Sequence, residues 1–165
     1  MFDKILVPIA FSKYSSGILK YAANLAEPLG AHLIVVNVVN ERDLEAVERI
    51  SSFGYKVDGE HYVDTIQKER EEELVEHLKD LTLPDDQVSF MFRVGEPTHE
   101  LLKIVVEEKV DMVVMGMKTK DIKHIFAGSV AERMFRKCPA TIVSYREDDI
   151  AERLEKGVLK HMDKH

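Results

Sequence analysis

The run Leu33–Val39, LIVVNVV, sets the tightest limit on the architecture of this chain. It is almost continuously apolar yet far too short to span a bilayer, and a run of that kind suits a strand covered on both faces. Strands buried on both faces belong to parallel sheets whose crossovers are helices. The remainder of the chain fits that scheme. Phe2–Ile9, Val88–Val94, Met112–Met115 and Thr141–Tyr145 read as further strands. Between them, Ser15–Leu29 spaces Ile18, Leu19, Ala22, Ala23, Leu25 and Ala26 at helical intervals and stops at Gly30. Gly95 and Pro97 mark a turn and a helix start before the stripe Leu101, Leu102, Val105 and Val106, and Ser129–Lys137 forms another helix. Strands alternating with helices predict an open α/β sheet with helices on both faces. Right-handed crossovers and a change of winding direction then place a crevice at the carboxyl ends of the strands. The segments Ile9–Ser12, Val38–Glu41 and Gly116–Gly128 all leave such ends and can share it.

The segment from Val113 to Arg146 carries the chemistry. Gly128-Ser129 opens a helix, where free N–H groups and the helix dipole favour an anion and glycine admits a phosphate close to the backbone. Ser129 followed by Glu132 also has the spacing of a capping box, which binds nothing, and local spacing leaves both readings open. Lys118, Lys120, Lys123 and His124 crowd the loop before Gly128. Exposed loop lysines are commonly no more than solvated charge, although beside an anion site they supply point charges.

Charge and cysteine usage exclude several classes. A formal net charge of −7 argues against a general nucleic-acid binder, which needs a basic face to displace counterions. Glu69, Glu71, Glu72 and Glu73 form an acidic cluster that reads as a solvated helix face. A single cysteine, Cys138, provides neither a disulfide partner nor a zinc cluster and reads as a small apolar filler beside Pro139. The start MFDKILVPIA is unlike a secretion signal, no run spans a membrane, and a cytoplasmic location is expected. Serine elbow and Walker loop are both missing. His32, His61, His77, His99 and His124 stand singly, with His124 beside the candidate crevice. No enzyme is expected, though slow ATP hydrolysis stays open, and no metal site.

Two segments depart from the plain alternation. Asn40–Asp86 is too long for a simple crossover and predicts a short helix near Asp43–Ile50 and a long one from about Glu60 to Leu81. The buried stripe of the long helix is Tyr62, Val63, Ile66, Leu74, Leu78 and Leu81. The tail Glu147–His165 spaces Ile150, Leu154, Val158 and Met162 at intervals of four, with acids early and lysines late, as an amphipathic helix would. Residues 1–146 are therefore expected to be the α/β domain and 147–165 a helical extension. Thr141–Tyr145 would be an edge strand, and self-pairing through Thr141, Ile142, Val143 and Ser144 about a two-fold axis would cover it. Met134 reads as core filling, and Met162 as an apolar contact near that interface.

From Asp3 to Tyr145 the chain resembles the universal stress protein family. The resemblance rests on KILVPIAFSKYS, VNVVNERD, RVGEPTHELLKIVVEEKVDMVVMG and AGSVAERMFRKCPATIVSY. It implies a five-stranded Rossmann-like α/β domain of strand order 3-2-1-4-5, a homodimer through the last strands, and ATP or AMP in the crevice, with Mg²⁺ only if ATP binds. Family members act in stress tolerance or as nucleotide-sensing regulators. The positions it points to are Ile9, Ala10, Val38, Gly116, Lys118, Lys120, Gly128, Ser129 and Val130. Val38 matches a backbone contact to adenine, and Gly128 and Ser129 match phosphate contacts. Nucleotide-binding members usually carry an aspartate for the ribose hydroxyls where this chain has Ala10, and commonly glycine where it has Phe11. Losing such an acceptor costs about 1.5–3 kcal/mol, one to two orders of magnitude in affinity. Lys118 or Thr119 stands where the family's glycine loop has its middle glycine, and the loop is one residue short. A nucleotide-independent module that binds a protein through its dimer surface and C-terminal helix is the alternative.

Overall fold

The computed structural model describes residues 1–53, 59–116 and 130–162. Five parallel strands form one sheet: β1 (Lys4–Pro8), β2 (His32–Asn40), β3 (Val88–Gly95), β4 (Met112–Gly116) and β5 (Thr141–Tyr145). Their order is β3-β2-β1-β4-β5, the doubly wound arrangement expected. Among the described residues six α-helices connect and flank them: α1 (Ser15–Leu29), α2 (Glu41–Ser52), α3 (Gly59–Leu78), α4 (Pro97–Glu107), α5 (Val130–Lys137) and α6 (Asp148–Met162).

The near-continuous apolar character of the central strands resolves into two faces. Ile5, Val7, Leu33, Val35 and Val114 point to one side, where Leu19, Ala22 and Ala26 of α1 and Leu74 of α3 cover them. Leu6, Ile34, Val36, Val113 and Met115 point to the other, against Leu101, Ile104 and Val105 of α4 and Ala131 and Met134 of α5. The side-chain period of two means that each strand needs apolar residues at every position when both faces are covered. Met134 is fully buried, as core filling requires.

Helix ends follow the local chemistry. Gly30 closes α1 in the left-handed region (φ 62°), with its N–H donating back to the last-turn carbonyls of Ala26 and Glu27, and glycine takes that conformation without a Cβ penalty. Asn40 ends β2 and caps α2, its side-chain oxygen accepting from the Arg42 N–H at 3.1 Å.

The long α3 differs from its sequence reading. Of the predicted stripe only Leu74 is fully buried; Tyr62, Val63, Ile66 and Leu78 are half-buried, and Leu81 lies beyond the helix end. The tail differs in the same sense. Ile150 is buried and Leu154 half-buried, but Val158 and Met162 are 59% and 67% exposed.

Candidate functional site

The carboxyl end of β1 is locked to β2 before the chain turns away. The Ile9 N–H donates to the Val36 carbonyl at 2.9 Å, and the buried Asn37 amide donates from Nδ2 to the Ile9 carbonyl, also at 2.9 Å. A buried amide in an apolar strand is costly unless it is bonded, so this contact accounts for the one polar residue in the run VVNVV. Beyond it opens a hollow of about 490 Å³. Its floor is Pro8–Ala10 and Val36–Asn40. Pro97, Leu101 and Val130 form one wall, and Asp43, Tyr62, Ile66 and Arg70 the other. The hollow lies where doubly wound sheets bind ligands and has the size of a small-molecule site, roughly 300–1,000 Å³.

A polar bridge fixes the wall formed by α4 and α5. Glu96 caps α4, accepting the His99 N–H on Oε2 at 2.8 Å. Its other oxygen, Oε1, accepts from Arg133 Nη2 at 2.9 Å, while Arg133 Nε donates to the buried Thr98 hydroxyl at 2.9 Å. Burial pushes the Glu96 carboxyl upward, but the N–H groups of His99 and Thr98 and the Arg133 guanidinium outweigh it, and the net shift is below the ordinary glutamate value. With its N-terminus occupied by the chain's own carboxylate, α4 is a poor anion site. The start of α5 at Val130 lines the same hollow.

The opposite wall carries Arg70 of α3. Phe11 follows Ala10 with φ 49°, the left-handed conformation that glycine would take most cheaply. The ring sits beneath the Arg70 guanidinium, 4.8 Å from centroid to Cζ, and 6.4 Å from the His77 ring. This cation–π contact, together with an ion pair from Arg70 Nη1 to Glu73 Oε2 at 3.1 Å, holds Arg70 at the hollow.

The structure thus places Ile9, Ala10, Val38 and Val130 together around one hollow. Gly116 lies instead on a neighbouring one of about 100 Å³, which Ala10 also lines, with Ser12, Tyr14, Tyr145 and Glu147. A Cβ on Gly116 would approach Ile18 Cδ1 of α1 at 2.8 Å, a contact that a shift of the Ile18 side chain relieves. Burial, then the neighbouring Glu147 carboxylate, pushes the Tyr145 phenol up. At this size the smaller hollow has room for water but not for a nucleotide. Lys118, Lys120, Lys123, His124, Gly128 and Ser129 lie outside the described residues. Sequence reading placed Asn40 at the crevice within Val38–Glu41 but missed Asp43, Tyr62, Ile66, Arg70, Pro97 and Leu101 as lining residues. The one available signal was Arg70, a cation within EREEE on the apolar stripe that begins at Tyr62 and Ile66.

Comparison with known proteins agrees with this architecture. The model of the universal stress protein family matches residues 1–146. Universal stress protein YxiE of Bacillus subtilis is 32% identical over 151 residues, covering 87% of this chain and 99% of the relative. Universal stress protein MJ0577 of Methanocaldococcus jannaschii is 27% identical, covering 83% and 90%. The solved structure of MJ0577 superposes with a TM-score of 0.70 at 25% identity, covering 90% of this chain and 99% of that one. Two further structures, both 18% identical over 88% of this chain, share the fold. One is a universal stress protein in complex with cAMP (TM-score 0.63, 97% of that chain covered). The other is the universal stress protein of Archaeoglobus fulgidus in complex with dAMP (TM-score 0.59, 100% covered). A family match across the whole sheet, joined to a close relative covered almost end to end, makes this chain a member of the universal stress protein family.

Proposed function

We propose that the protein is a homodimeric stress-response module whose hollow at the carboxyl ends of β1 and β2 takes an adenine nucleotide, ATP or AMP, with reduced affinity. The observation that carries this reading is the hollow itself, open at the sheet's ligand-binding end and meeting the start of α5. Backbone groups near Val38 suit a base edge, since they depend little on side-chain identity. Ala10 offers no acceptor to the ribose hydroxyls, so binding falls one to two orders of magnitude below that of a site with a carboxylate there. Mg²⁺ enters only with the triphosphate. The site reads as a sensor rather than an enzyme.

Thermal unfolding with ATP or AMP tests the reading. A ligand present at a hundred times its dissociation constant stabilises the folded state by about 2.7 kcal/mol. Millimolar nucleotide should therefore raise the melting temperature by several degrees; an unmoved melting curve overturns the reading. The second reading, a nucleotide-independent protein-binding module, draws on the exposed apolar end of α6, where Val158, Leu159 and Met162 are at least half exposed. Capture of a partner that requires residues after Glu147 and ignores added ATP would select it.

A further inference from the structure

We propose that Arg70 makes this hollow selective for adenine nucleotides that carry a second phosphate on the ribose. The inference rests on the adenine-nucleotide reading above and names which member of that class the site prefers. It begins with Ala10. A carboxylate at that position would accept from ribose hydroxyls and repel a phosphate attached to them; a methyl group does neither. α/β nucleotide sites show the same pairing in general form, with an acid where the ribose hydroxyl is free and an arginine where it is phosphorylated.

The arginine here is placed rather than merely present. Arg70 lines the same hollow as Ala10, and its guanidinium lies over the ring of Phe11, the next residue in the chain. The left-handed backbone at Phe11 turns a large ring into a platform where glycine would leave a gap. Tyr62 and Ile66 precede Arg70 on the same face of α3, so a helix element and not a loop carries the charge. Glu73 engages the Nη1 end of the guanidinium at 3.1 Å. A guanidinium presents five N–H donors in a planar fork, and the Nη2 and Nε edge matches two phosphate oxygens. The Arg70 side chain is 35% exposed, so it is reachable from the hollow without unfolding. Two acidic groups oppose an anion there: Glu73, paired with Arg70, and Asp43, across the opening at the start of α2.

Calorimetric titration of the full chain with AMP, adenosine 2′,5′-bisphosphate and adenosine 3′,5′-bisphosphate tests the proposal. At least one bisphosphate should bind about tenfold more tightly than AMP, the effect of one charge-assisted contact. Arg70→Gln should weaken the preferred bisphosphate about tenfold more than it weakens AMP, and Ala10→Asp should reverse the preference. Equal binding of all three by the unaltered protein overturns the proposal, and so does an Arg70→Gln loss as large for AMP as for the bisphosphates. In both cases the nucleotide reading stands. Absence of binding by all three at millimolar concentration overturns the two together. Should Arg70→Gln fail to fold, the ratio in the unaltered protein and its reversal by Ala10→Asp decide.

Discussion

Phe11 shows how one residue can hold a conformation that its own type disfavours. Left-handed backbone costs a residue with a Cβ roughly 1–2 kcal/mol, and the ring offsets this by packing against Arg70 and the α1-side core. Replacement by alanine loses the ring and keeps the backbone cost, whereas replacement by glycine loses the ring and removes the cost. Phe11→Ala is therefore expected to be less stable than Phe11→Gly by about 1 kcal/mol in urea unfolding, both lying below the original protein. Equal stability of the two variants would show that the left-handed backbone at position 11 carries no cost. The same residue marks where sequence reading ran out. The departure from a family glycine was visible, but φ is set by the turn that follows β1, and no single-residue pattern revealed that a side chain from α3 completes the site there. Ile9, Ala10, Val38 and Val130 could be placed from the strand and helix ends that carry them. Arg70 could not, because an arginine among glutamates reads as surface charge until the helix is docked.

Elements were readable in proportion to how directly burial dictates them. α1 and β5 carry the bounds expected, since a stripe ending in Gly30 and a short branched run before Tyr145 leave little freedom. The stripes of α3 and α6 were misleading for a physical reason: spacing at intervals of four reports that a helix face is apolar, not what it meets. In α3 part of that face lines a hollow, and in α6 the last two turns extend past the body of the domain. The link between α4 and α5 has a pH signature of its own. The Glu96 carboxyl is held below the ordinary glutamate value of 4.5, so the folded form binds its proton less readily than the unfolded chain does. The contribution to stability is complete above pH 4.5 and disappears as pH falls through the lowered folded value. Because both partners are about 40% exposed, the bridge contributes less than about 1 kcal/mol. Glu96→Gln should therefore melt slightly below the original protein at pH 7, and the gap should close as pH falls below 4.5. A gap that stays constant across that range would assign the stabilisation to packing rather than to charge.

For the molecule as a whole, the unresolved matter of physics is the outer edge of β5. The Thr141 N–H donates inward to the Asp111 carbonyl at 3.2 Å, and in a parallel ladder alternate residues share that direction. Val143 and Tyr145 therefore bond towards β4, leaving the N–H and C=O groups of Ile142 and Ser144 at the edge. Soluble proteins cover or blunt such edges, and pairing with a second copy about a two-fold axis would satisfy these groups and cover the half-exposed Ile142 and Val143. Light scattering at micromolar concentration is expected to give the mass of a dimer. Proline at position 144 separates edge pairing from folding, since it removes an outward donor and leaves the inward ladder intact. Ser144→Pro should retain cooperative melting while weakening self-association at least tenfold, one lost hydrogen bond with its desolvated partner being sufficient for that. A monomeric mass for the original protein, or a dimer indifferent to Ser144→Pro, would move the interface away from β5. The exposed face of α6, which leaves the domain immediately after this strand, would then be the next surface to test.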